Sequence, residues 1–135
     1  MKRLLIFALI LITLCLTMTG CLGKNYPGNA KSKYWLSSDN TMIFWFPAEA
    51  GHGKAEGDLK LNNGETISLI LEWNTKNGIV EVKTAGYEKI FTAETTTNHD
   101  NLTCTFKVTS VEEGYNIPSE ITFHWHQNRE KWDNP

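Results

Sequence analysis

Between residues 34 and 126, apolar and polar side chains alternate in short runs, and turn-forming residues separate nearly every run from the next. Alternation at period two puts one set of side chains on each face of a strand, so every run has one face to bury and one to leave in water. Ala55, Gly57, Leu59 and Leu61 share a face opposite Glu56, Asp58 and Lys60. Ile67, Leu69, Leu71 and Trp73 share another, as do Leu102, Cys104, Phe106 and Val108, and finally Ile121, Phe123 and Trp125. Asn63-Gly64 and Asn77-Gly78 are the preferred pairs for a type I′ hairpin turn, because both residues tolerate positive φ. Ala85-Gly86 marks a further turn, a polar loop is expected over residues 96–101, and the longest connection covers 110–119.

These runs amount to seven to eight short strands, each a short turn away from its neighbour. That spacing predicts an all-β fold, a small antiparallel up-and-down meander closing into a barrel, with a β-sandwich as the alternative. Short hairpins favour the barrel over a Greek key. No segment after residue 20 shows helical periodicity. Residues 41–46 are apolar on both faces, so this strand is expected to be covered on its second face as well.

The first two dozen residues follow a different logic. Met1, Lys2 and Arg3 form a short positive start, and residues 4–16 are uncharged and mostly Leu and Ile. Thirteen apolar positions fall short of the roughly twenty a membrane-spanning helix needs, and suit the central helix of a secretory signal. Met18-Thr19-Gly20-Cys21 then resembles the lipobox of bacterial lipoproteins, with Met18 where Leu is usual. The resemblance implies cleavage before Cys21, diacylglyceryl transfer to its thiol, and export to the outer face of the bacterial cytoplasmic membrane. Two or three acyl chains, palmitate among them, hold such a protein stably to the bilayer without spanning it. The expected organisation is a signal peptide over 1–20, a lipidated cysteine and flexible tether over 21–30, and a β-rich domain over 31–135.

Cutting residues 1–20 leaves 115 of the 135 residues, and losing Lys2 and Arg3 leaves eleven cations against fifteen acids, a formal charge of −4. That balance excludes nucleic acid as a partner, which needs a basic face, and supplies no basic patch for anionic lipid. Cys15 leaves with the signal and Cys21 carries the lipid, so Cys104 has no intrachain disulfide partner and the domain must hold by packing alone.

Tyr34-Trp35, Asp39, the aromatic run Ile43-Phe44-Trp45-Phe46, the glycines at 51, 53 and 57, Asn63-Gly64-Glu65 and Ile121-Thr122-Phe123 resemble small uncharacterised β-rich lipoproteins of Gram-positive bacteria. The resemblance covers residues 1 to about 127 and implies a cell-envelope location, with no activity to carry over.

Candidate chemistry is sparse. His124 and His126 stand two apart on the last strand, so both imidazoles face the same way and could share a zinc ion, with His52, His99 or Asp100 as a third ligand. They lie opposite Ile121, Phe123 and Trp125, on the face expected to meet solvent. Cys104 sits among apolar neighbours, where a buried inert thiol is expected rather than a nucleophile. No serine lies in a GxSxG or SxxK setting, and no catalytic constellation emerges. Trp35, Trp45 and Trp73 are the candidate ligand-contacting aromatics, lining a cavity for an apolar small ligand or a patch for another envelope protein. Three readings follow: a non-catalytic binding or interaction module, a metal-binding lipoprotein using His124 and His126, and an envelope hydrolase.

Overall fold

The computed structural model describes residues 26–29 and 34–135, so the expected signal peptide and Cys21 lie outside the described residues. Eight strands follow one another: β1 (Tyr34–Ser37), β2 (Met42–Trp45), β3 (Lys54–Lys60), β4 (Thr66–Asn74), β5 (Ile79–Thr84), β6 (Lys89–Asn98), β7 (Thr103–Val111) and β8 (Glu120–His126). Each pairs antiparallel with the next, and β8 pairs back onto β1, which closes an up-and-down barrel. Closure leaves no free sheet edge. The barrel expected from the alternation is the observed fold, and the sandwich is not.

The inward faces follow the period-two pattern. Ala55, Gly57 and Leu59 of β3, Leu69, Leu71 and Trp73 of β4, Cys104 and Phe106 of β7, and Ile121 and Phe123 of β8 are all buried. At the centre stands Phe44, its ring centroid 4.9 Å from Phe123, 5.5 Å from both Phe106 and Trp73, and 6.1 Å from Trp35. These offset and edge-on contacts are the geometries aromatic quadrupoles favour. Gly57 lies directly across from Phe44, and its missing side chain lets the two strands' inner surfaces close around the ring cluster.

The hairpins differ from the expected type I′. Gly64 has φ +89°, whereas Asn63 does not enter the positive region. The Gly64 N–H donates to Leu61 O at 3.0 Å and the Leu61 N–H to Glu65 O at 2.7 Å, a type I turn followed by one left-handed residue. The β5–β6 turn repeats this plan with Tyr87, not Gly86, as the left-handed residue at φ +67°. The three-residue connection gives the flanking strands their right-handed twist with only one residue at positive φ.

Two other boundaries moved. β6 runs on to Asn98, through part of the expected polar loop, because Thr95 and Thr97 face inward and their hydroxyls find buried partners. Leu102, expected to share the inward face of Cys104, instead occupies the turn at φ +55° and is exposed.

Two segments without periodicity complete the molecule. A 3-10 turn, Pro27–Asn29, brings Tyr26 against the barrel end formed by the 46–53, 75–78 and 99–102 connections. Tyr26 is only 5% exposed, sits between Phe46 and Trp73, and its hydroxyl accepts the Gly53 N–H at 2.9 Å. Burial raises its hydroxyl's pKa above the ordinary value, against the pull of that hydrogen bond. Its ring folds back over Gly28 so closely that any β-carbon there would collide with it. The opposite end is approached by the 112–119 connection, whose Tyr115 and Ile117 pack on the core.

At the other terminus, helix α1 (Glu130–Asp133) lies on the outer wall. Trp132 is buried with Leu36 and Ile43, and Tyr34 and Trp45 pack beside it. This explains why β2 is apolar on both faces: Phe44 looks into the barrel and Ile43 out towards Trp132.

Candidate functional site

The sequence singled out aromatic rings and a histidine pair, and the structure separates them. Trp35 and Trp73 are interior. Trp35 is stacked on Phe44 with planes 13° apart, and its indole N–H has no acceptor among the described residues. Trp73 donates from Nε1 to Thr95 Oγ1 at 3.0 Å, and that hydroxyl donates on to Gly78 O at 2.7 Å. Both rings belong to the packed core. Trp45 points outward and is half-buried, with Arg129 over its ring at 5.2 Å and Tyr34 at 5.8 Å. The three tryptophans therefore do not share one surface.

His124 and His126 do share one. They project outward from β8, opposite Leu36 and Tyr34 of β1. The chain then turns at 127–129 and runs back along the wall as α1, which leaves a cleft of about 650 Å³ between this segment and the β1–β8 pair. Its polar lining comes from Ser38, Asn40, His124, His126, Lys131 and Asn134. The segment is pinned by Trp132 and by two cations. Lys60 Nζ stands 4.0 Å over the Trp132 ring and donates to Trp132 O at 3.4 Å, and Arg129 reaches Asp58 Oδ2 at 3.5 Å.

The electrostatics of the cleft are one-sided. Partial burial, then the nearby charges of Lys131 and His124, lower the His126 pKa below its ordinary value. Among the described residues no Asp or Glu side chain lines the cleft. Its floor is held rigid by the β1–β2 turn, where the Asp39 carboxylate accepts from Ser37 Oγ and Thr41 Oγ1 at 2.7 Å each. Burial opposes ionisation of Asp39, but these hydrogen bonds outweigh it and hold the pKa below the usual carboxylate value.

An ammonium, two imidazoles and two carboxamides, with no Asp or Glu side chain beside them, can donate to an anionic group. The same arrangement suits a metal poorly. The field of Lys131 that weakens proton binding at His126 also repels a divalent cation, and no three of the His, Cys, Asp and Glu side chains among the described residues gather into a ligand set. His52, offered as a third ligand, packs instead on Tyr26 at the barrel end.

Cys104 is fully buried, and burial pushes its thiol up to about 12, with Thr97 donating to the sulfur at 3.6 Å. A thiol so seldom ionised and so enclosed cannot attack a substrate. Sequence reasoning missed Lys131, Asn134 and Tyr26, because each lies in a segment without periodicity and earns its place only through tertiary contacts.

No protein-family model matches this chain, and neither a curated protein nor a solved structure matches it.

Proposed function

We propose that this chain is a lipid-anchored, non-catalytic binding module of the bacterial cell envelope, held to the outer face of the cytoplasmic membrane through Cys21. It binds its partner on the outer wall of the barrel and not inside it. The observation that carries this reading is the division of roles between the two faces. The interior is filled by aromatic rings in mutual contact, whereas the outer cleft gathers His124, His126 and Lys131 with no Asp or Glu side chain in its lining. The group recognised there is anionic, a phosphate or carboxylate of an envelope ligand or protein.

The test is a titration of inorganic phosphate and of acetate into isotope-labelled protein at pH 5.5 and 7.5, followed by amide shifts. Shifts should cluster around His124, His126 and Lys131, strengthen at the lower pH as His126 gains its proton, and vanish in the His124→Gln/Lys131→Gln variant. Shifts scattered over the surface, or unchanged in the variant, would overturn the assignment.

A second reading, zinc binding, is favoured by one observation: the two imidazoles emerge on the same side of β8. Calorimetric titration with zinc that gives a stoichiometric, His126-dependent site would make the metal reading the better one.

A further inference from the structure

Tyr26 is not simply the first described residue of a tether: it is built into one end of the barrel. From this docking we infer that the barrel stands upright on the membrane, with the Tyr26 end against the lipid headgroups and the opposite end facing outward. This inference rests on the lipid-anchor reading of Cys21, and adds to it which surface the lipid bilayer meets.

The first argument is reach. Cys21 precedes Tyr26 by five residues. Five residues of fully extended chain cover at most about 18 Å. Strand β4 has nine residues. At about 3.3 Å per residue and a tilt near 40°, a barrel of such strands stands roughly 23 Å tall. Tyr26 is fixed at one end by its hydrogen bond to Gly53 and its contacts with Phe46 and Trp73. A tether starting there is too short to let the far end touch the bilayer that holds the lipid.

The second argument is charge, and it is independent of the tether. At the far end the four connections (38–41, 61–65, 85–88 and 112–119) contain Asp39, Glu65, Glu88, Glu112 and Glu113. They contain no Lys, Arg or His, and the strand ends beside them add Lys60, Lys89 and Glu120, which leaves this end acidic. At the Tyr26 end the connections carry Glu49 and Asp100 against Lys76, and Lys54, exposed at the start of β3, brings the two signs level. Lys24, Lys31 and Lys33 flank Tyr26 in the sequence. An anionic lipid surface therefore repels the far end and tolerates the near one. The reach of the tether excludes an inverted barrel, and this charge difference acts against one lying on its side, because tilting brings the acidic end within a Debye length, about 10 Å, of the headgroups.

The test uses the lipidated protein purified from bacterial membranes and placed in nanodiscs of phosphatidylglycerol and phosphatidylethanolamine that contain a gadolinium-chelating lipid. Paramagnetic broadening of amide signals then reports proximity to the headgroups. Broadening should be strong at Gly51, Lys76 and Leu102 and absent at Asn63, Gly86 and Gly114. A variant with a fifteen-residue Gly/Ser spacer inserted between Cys21 and Tyr26 should lose most of this contrast. Equal broadening at the two ends, or stronger broadening at Asn63 and Gly114, would overturn the orientation.

Intact mass of the purified protein separates the two claims. A mature chain without the diacylglyceryl mass would refute the lipid anchor alone. A maleimide-bearing phospholipid coupled to Cys21 would then supply the anchor, since Cys104 is buried and does not compete, and the same broadening pattern would decide the orientation.

Discussion

Replacing Gly57 with alanine should destabilise the barrel although it adds only a methyl group in a strand where alanine is ordinarily tolerated. A β-carbon at this position would stand 2.5 Å from the carbonyl oxygen of Ile43 and 3.3 Å from both Leu71 Cδ1 and Phe44 Cβ. The Leu71 methyl can swing aside. The Ile43 carbonyl cannot, because it belongs to the backbone of β2, and Ile43 itself is pinned between the sheet and Trp132. Overpacking of this kind costs about 1–3 kcal/mol. Against it stands the smaller conformational entropy of the unfolded alanine chain, about 0.4–1 kcal/mol in favour of the variant. The expected net loss is about 1–2 kcal/mol, or about 5–15 °C in melting temperature for a domain of this size. Urea unfolding followed by tryptophan fluorescence measures it. Two comparisons sharpen the reading. Gly64→Ala has open space around its new methyl but a φ of +89°, so its penalty is conformational and should be about 1 kcal/mol. Adding Phe44→Leu to Gly57→Ala should rescue nothing, because the nearest obstacle is a carbonyl and not the ring. A Gly57→Ala protein as stable as the wild type would refute the claim that β2 and β3 close this tightly around the aromatic core.

The remaining predictions concern the docked tyrosine, the buried thiol and the outer wall. Tyr26→Phe removes the acceptor of the Gly53 N–H and should cost about 1–2 kcal/mol in urea unfolding, while leaving the ring contacts in place. Cys104 should resist alkylation in the native protein and react only on unfolding. Because its folded pKa, about 12, lies above the value near 9 expected of an exposed thiol, its contribution is fully present below pH 9 and is lost as the pH rises towards 12, so the urea midpoint should fall over that window less steeply in Cys104→Ala than in the wild type. Trp132→Ala should cost about 2 kcal/mol of buried apolar contact and release the C-terminal segment, seen as rapid hydrogen exchange at residues 130–134 with the barrel amides still protected.

Much of this molecule was legible residue by residue. The alternation in residues 54–61, 66–73 and 121–125 assigned both the strands and their inward faces, because the two-residue period is a property of the backbone and needs no partner to be read. The two-faced apolarity of residues 41–46 also announced a second covering, later identified as Trp132. The outward placement of His124 and His126 followed from the same period. Tertiary structure decided the rest. The type of each hairpin was invisible in the Asn-Gly pairs, because it depends on how many residues the strand register leaves in the connection, and three take a type I turn with one left-handed residue. Thr97 read as a polar loop residue until burial supplied its hydroxyl with a partner. Residues 26–29 and 129–135 have no pattern to read: their shape comes entirely from what Tyr26 and Trp132 touch. Those contacts create the two features on which function is argued, the cleft beside His124 and His126 and the docked end of the barrel. Such features join residues about ninety positions apart in sequence, as Leu36 meets His124 across the closing strand pair, and only packing of the whole chain brings them together.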